Sequence, residues 1–147
     1  MGKLHQFTAL PWREQWLYLK VALWLMAVKA GLYLLPFNRL RRWMARSSQP
    51  DIKYQDINDL YTIILAIERI SQFLAPLRIN CLPQALVGHR LLRQKGFNVK
   101  LKIGVLKNPG DRLAAHAWLE VQGQVVLGSL HGLERFAEFP ALGAARR

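Results

Sequence analysis

The 147-residue sequence predicts an α+β domain, with helices first and antiparallel strands after them. Three observations lead there. Apolar residues recur at helical spacing in successive segments as far as residue 95. From Val99 the pattern switches to strict alternation. Turn residues then cut the alternating stretch into three short strands.

Residues 12–46 read as the first helical stretch, bent or ended near Gly31 or Pro36. Residues 15–37 are strongly apolar but contain Lys20 and Lys29. A membrane span needs about 20 largely apolar residues, and a central lysine costs about 2.5–3.5 kcal/mol on insertion. The uninterrupted apolar run, Val21 to Val28, is only eight residues. A helix buried in the fold or against a partner is therefore expected, rather than a span. A basic cluster follows at Arg39, Arg41, Arg42 and Arg46. Ser47, Ser48, Gln49 and Pro50 then form a polar break, the best candidate boundary. It separates an N-terminal helical segment, 1–50, from a core, 51–147, the two expected to form one compact unit.

A second helix is expected over residues 55–75, with Asp56 and Asp59 at the positive end of its dipole and Pro76 stopping it. Ile57, Leu60, Ile64 and Ile67 supply its apolar spacing. A third runs over residues 81–95. Pro83 suits its first turn, Leu82, Ala85, Leu86 and Leu92 make its apolar stripe, and Gly96 is a natural cap. Val99, Leu101, Ile103 and Val105 alternate with lysines as a strand with one solvated face. Asn108 to Asp111 is a turn, residues 115–121 a second strand, Gln122-Gly123 a hairpin turn, and residues 124–127 a third strand. The tail from Gly128 carries little periodicity.

Composition narrows the classes. Hydrophobic residues make up 52% of the chain, ample for a core and unlike a disordered or collagen-like sequence. Twenty-one Lys and Arg oppose nine Asp and Glu, giving a net charge of +12, which implies an acidic partner of some kind. The cations are spread along the chain with no recognised nucleic-acid motif, so no nucleic-acid partner is expected. The apolar helix with its basic flank also suits weak association with a membrane surface. No cleavable signal peptide is evident, and the cytoplasm is the expected compartment, with a peripheral place at the inner membrane face as a variant. His5, His89 and His131 have no metal-ligand spacing and no Gly-rich phosphate cradle is seen, so neither a metal nor a cofactor is expected. The single cysteine, Cys81, excludes an internal disulfide.

Cys81 opens a helix, where unpaired backbone N–H groups carry partial positive charge. Such a position stabilises a thiolate and offers donors to an oxyanion. A buried, inert cysteine is the competing reading. His116 lies on the second strand. By parity Ala115, Ala117, Leu119 and Val121 form an apolar face, while His116, Trp118 and Glu120 share the other, pointing away from the apolar core face. An imidazole beside a thiol can serve as general base and then protonate a leaving amine.

The order of cysteine at a helix start, strand, then histidine in a hairpin is that of papain-like and transglutaminase-like sites. Cys81-Leu82-Pro83-Gln84-Ala85-Leu86, Leu91-Leu92-Arg93-Gln94-Lys95-Gly96-Phe97 and the run from Ala115 to Gly123 resemble the transglutaminase-like core of lasso-peptide maturation B proteins. Leu34-Leu35-Pro36-Phe37-Asn38-Arg39-Leu40-Arg41-Arg42 resembles that family's N-terminal helical segment. The resemblance implies a cysteine protease that cuts the leader from a ribosomally made precursor peptide before a partner cyclase closes a macrolactam. Cys81 takes the nucleophile role and His116 the base role. A separate leader-recognition protein is implied as a further partner, because 147 residues leave no room for a recognition domain. The chain departs from the family at the third group, an Asp after the histidine. A plain hairpin sets Gly128 or Ser129 opposite His116. Glu120 lies roughly 13 Å along the strand, too far to orient the ring. Asp111, Ser129 and His131 are candidates, and the sequence does not choose among them. The alternative function is a non-enzymatic membrane-associated or scaffold module of a peptide-maturation complex.

Overall fold

The structure, a computed structural model, describes residues 11–45, 56–107, 110, 113–129 and 137–138. Within these, four α-helices precede a four-stranded antiparallel sheet. The helices are α1 (Trp12–Leu34), α2 (Phe37–Ala45), α3 (Ile57–Phe73) and α4 (Cys81–Gln94). The strands are β1 (Val99–Lys107), β2 (Leu113–Val121), β3 (Gln124–Leu127) and β4 (Ala137–Glu138). The order across the sheet is β3-β2-β1-β4. The predicted α+β class is the observed one.

Local chemistry explains most boundaries. Pro36 breaks the first helical stretch into α1 and α2, as expected. The Asp56 side chain accepts from the Asn58 amide at 2.9 Å and so caps α3. A single 3₁₀ turn, Ala75–Leu77, follows at Pro76. The Gln122-Gly123 turn has positive φ at both residues, 52° and 78°, which matches the twist of a two-residue hairpin. The predicted break at residues 47–50 and most of the turn at 108–111 lie outside the described residues. Strand β4 had no sequence signal; its two residues pair with Gly104 and Val105 of β1.

One apolar cluster runs through all of this. Val21, Leu25 and Val28 of α1 are fully buried with Ile67 of α3, Leu86 and Leu92 of α4, and Leu119 of β2. Each such side chain contributes roughly 1.5–3 kcal/mol through burial. Gly88 lets α4 lie close to the sheet, since a Cβ there would stand 2.7 Å from Leu119 Cδ1 and 3.1 Å from Leu127 Cδ2. The buried surface of α4 is consequently wider than the predicted stripe and takes in Val87 and Leu91. The Arg90 guanidinium stacks over Trp24 of α1, 4.4 Å from the ring centroid, and over Trp43 of α2 at 5.3 Å. That stack ties the first two helices to α4.

Parity along β2 needs one correction. His116, Trp118 and Glu120 do share a face: Trp118 Nε1 donates to Glu120 Oε1 at 3.0 Å, and the His116 and Trp118 rings lie 6.2 Å apart. That face is not wholly turned away from the interior, because Trp118 is as buried as Ala117 and Leu119. A large ring with one polar N–H can be buried once that N–H has an acceptor, and Glu120 supplies it.

Candidate functional site

The loop before α4 is held from several sides. Arg78 adopts the left-handed conformation, with φ 51°. Its carbonyl accepts from Lys29 Nζ of α1 at 3.5 Å. Ile79 is buried, and its carbonyl accepts from Gln84 Nε2 at 3.2 Å. The chain then enters α4 with Cys81 as the first helical residue. Pro83 has no N–H, so the first-turn donors are the amides of Cys81 and Leu82. The Asn80 side chain does not cap them.

Cys81 and His116 line one cleft of about 420 Å³, with Asn80, Leu82, Ile103, Ala115 and Ala117. Cys81 is half-buried, as is His116. A thiol–imidazole contact in such a cleft commonly tightens when substrate is bound. The cleft takes residues of both parities from β2 because β3 is short. Pairing between β2 and β3 covers only Leu119–Val121, so the first half of β2 extends beyond it.

One partner of the ring is a backbone group. His116 Nε2 lies 2.7 Å from the carbonyl oxygen of Gly128. A carbonyl only accepts, so Nε2 carries the proton and Nδ1 is the basic nitrogen of the neutral ring. Gly128 reaches this position through two local features. After the register shift between Leu119 and Glu120, Leu119 faces Leu127, which brings Gly128 alongside Trp118, on the face that Trp118 shares with His116. Gly128 then turns with φ 81° close against Ala117 and Trp118; a Cβ there would sit 2.8 Å from the Ala117 carbonyl oxygen. Of the expected orienting groups, Ser129 is exposed, while Asp111 and His131 lie outside the described residues. Glu120 is engaged elsewhere: beyond the Trp118 N–H it pairs with Lys102 Nζ at 3.2 Å. These contacts hold its carboxyl below the usual carboxylate range, the Trp118 bond most strongly.

A family model for the transglutaminase-like superfamily matches residues 22–140. The chain belongs to the transglutaminase-like superfamily. The matched span includes every residue that lines the cleft. This superfamily includes cysteine proteases. Comparison with curated proteins and with solved structures finds no match.

Sequence reasoning named Cys81 and His116, and the fold sets both on one cleft. It missed Asn80 and the Gly128 carbonyl. A glycine immediately after a strand that pairs with the histidine strand was the available signal. Among the described residues no group of three or more His, Cys, Asp or Glu side chains could hold a metal ion.

Proposed function

We propose that this chain is a cysteine peptidase that removes the leader from a ribosomally made lasso-peptide precursor. The observation that carries the peptidase part is the shared cleft of Cys81 and His116. Superfamily membership supports it. The leader-peptide part rests on the motif resemblance around Cys81, His116 and Pro36.

In this reading the Cys81 sulfur attacks the scissile carbonyl while its proton passes to His116 Nδ1. The oxyanion faces the amides of Cys81 and Leu82 at the positive end of α4. The C–N bond breaks as His116 returns the proton to the leaving amine, which leaves an acyl thioester on Cys81. Water, deprotonated by the same ring, then releases the carboxylate and restores the thiol. The Gly128 carbonyl keeps the ring in the tautomer that the first step requires.

The test combines the purified chain with precursor and leader-recognition protein and follows peptide masses. Cut leader from wild type and none from Cys81→Ala is expected. Cutting that persists in Cys81→Ala overturns the reading.

A further inference from the structure

Helix α1 is apolar on two opposite sides. Tyr18, Val21, Leu25 and Val28 face inward and meet the core. A second stripe, Trp12, Trp16, Leu19, Leu23, Met26 and Tyr33, faces outward, with Leu23 62% and Tyr33 81% exposed. From Trp12 to Met26 the outer stripe recurs at alternating intervals of four and three residues, with Tyr33 two turns further on, and it spans about 100° of the helix surface. Folding does not require it, because the inner stripe already anchors α1. Apolar patches of this extent mark an interaction surface.

The charges say what covers it. Residues 11–45 contain six cations, Arg13, Lys20, Lys29, Arg39, Arg41 and Arg42, against one acid, Glu14. Arg13 and Lys20 are exposed and follow directly along one flank of the outer stripe. On the same flank Leu40 of α2 packs against Gly31, and α2 adds exposed Arg39, Arg42 and Trp43. Glu14 lies on the inward half of the helix. The outward surface is therefore apolar in the middle, bordered along one flank by cations, and carries Trp and Tyr rings. An interfacial helix on an anionic bilayer has this arrangement, since the apolar stripe enters the acyl boundary and the cations reach the headgroups. A packed partner helix would call for carboxylates opposite these cations at the border, and the one acid of α1, Glu14, lies on the inward half, so a second copy of this helix offers none there.

By length and composition α1 could also cross a membrane, at 23 residues and a mean hydropathy of 1.5 in its most apolar window. Its inner stripe is packed against α3 and α4, so the folded chain can only lay it flat.

We infer that the outer face of α1 docks this protein on an anionic membrane surface. The inference does not depend on the peptidase reading, and Cys81→Ala is expected to bind as wild type does.

The test is co-flotation of the full chain with vesicles of phosphatidylcholine containing 30% phosphatidylglycerol, and with phosphatidylcholine alone. Binding is expected to the anionic vesicles and to weaken with salt. Trp16→Gln with Leu23→Gln is expected to cut partitioning at least about tenfold. Arg13→Gln and Lys20→Gln each cut it about fivefold. Both sets alter exposed side chains, so an unchanged melting curve and circular dichroism spectrum certify the fold. Brominated lipid in the same vesicles is expected to quench tryptophan fluorescence in wild type and less in Trp16→Gln. Failure to float, equal flotation on neutral vesicles, or full flotation of the folded Trp16→Gln/Leu23→Gln variant each overturns the inference. A dimer that this double variant dissolves, without vesicle binding by wild type, overturns it in favour of a second copy.

Discussion

Replacing Gly128 by alanine tests whether a backbone carbonyl orients His116. Two costs fall on that site. Alanine at a φ of 81° pays about 1–2 kcal/mol for the left-handed conformation. Its Cβ would also sit 2.8 Å from the Ala117 carbonyl oxygen, so the segment must shift and draw its own carbonyl away from Nε2. Gly123 supplies the control. It has a φ of 78° and nothing within 4 Å of an added Cβ, so Gly123→Ala pays the conformational cost alone. A hydrogen bond of this kind contributes about 0.5–1.5 kcal/mol. At 1.36 kcal/mol per factor of ten in rate, its loss lowers turnover about two- to thirteenfold. The assay is leader cleavage beside a urea titration for both variants, with nitrogen NMR of the ring at neutral pH. Gly128→Ala is expected to lose activity and more stability, and Gly123→Ala only stability. In wild type the neutral ring should carry its proton on Nε2. A wild-type ring protonated on Nδ1, or equal activity in the two variants, would refute the role of the carbonyl.

Three further outcomes are expected. Gly88→Ala gains helix propensity but drives a methyl into Leu119, Leu127 and Ile67, all buried, and denaturant titration should show a net loss of about 1 kcal/mol. His89 is held down to about 4 by burial and then by the Arg93 cation. The unfolded chain takes that proton near the ordinary value of 6.5, so the stability it contributes is full above about pH 6.5 and falls away as pH drops towards 4, by about 3 kcal/mol at most; His89→Gln should flatten this part of the stability–pH curve. Glu120→Ala leaves the buried Trp118 N–H without its acceptor and removes one carboxylate from Lys102, which should cost about 1–3 kcal/mol and alter the near-ultraviolet dichroism.

Much of the fold was legible because local chemistry dictates it. Asp56 caps α3, Pro36 parts α1 from α2, and the alternation from Val99 gives β1 its length. Cys81 could be placed at a helix start because Pro83 belongs in a first turn. The Gly128 carbonyl was not legible as an acceptor for the ring, for a physical reason. Every residue has a carbonyl, so no side-chain type announces one as an acceptor, and the irregularity that brings Gly128 into reach leaves no trace in the hydrophobic pattern. The depth of Trp118 was hidden because parity gives the face and not what covers it. The two apolar sides of α1 could be counted from the sequence, but which one met the core depended on where α3 and α4 pack.

The contact between Lys29 and the Arg78 carbonyl joins the first helix to the bend three residues ahead of the sulfur. Trimming the amino-terminal half would therefore disturb the half that carries Cys81 and His116. A shortened chain would lose a support beneath Cys81 and open the side of the interior that Val21, Leu25 and Val28 fill to water. The two proposed roles share one supporting beam, and only single-residue changes on its outer surface can tell them apart.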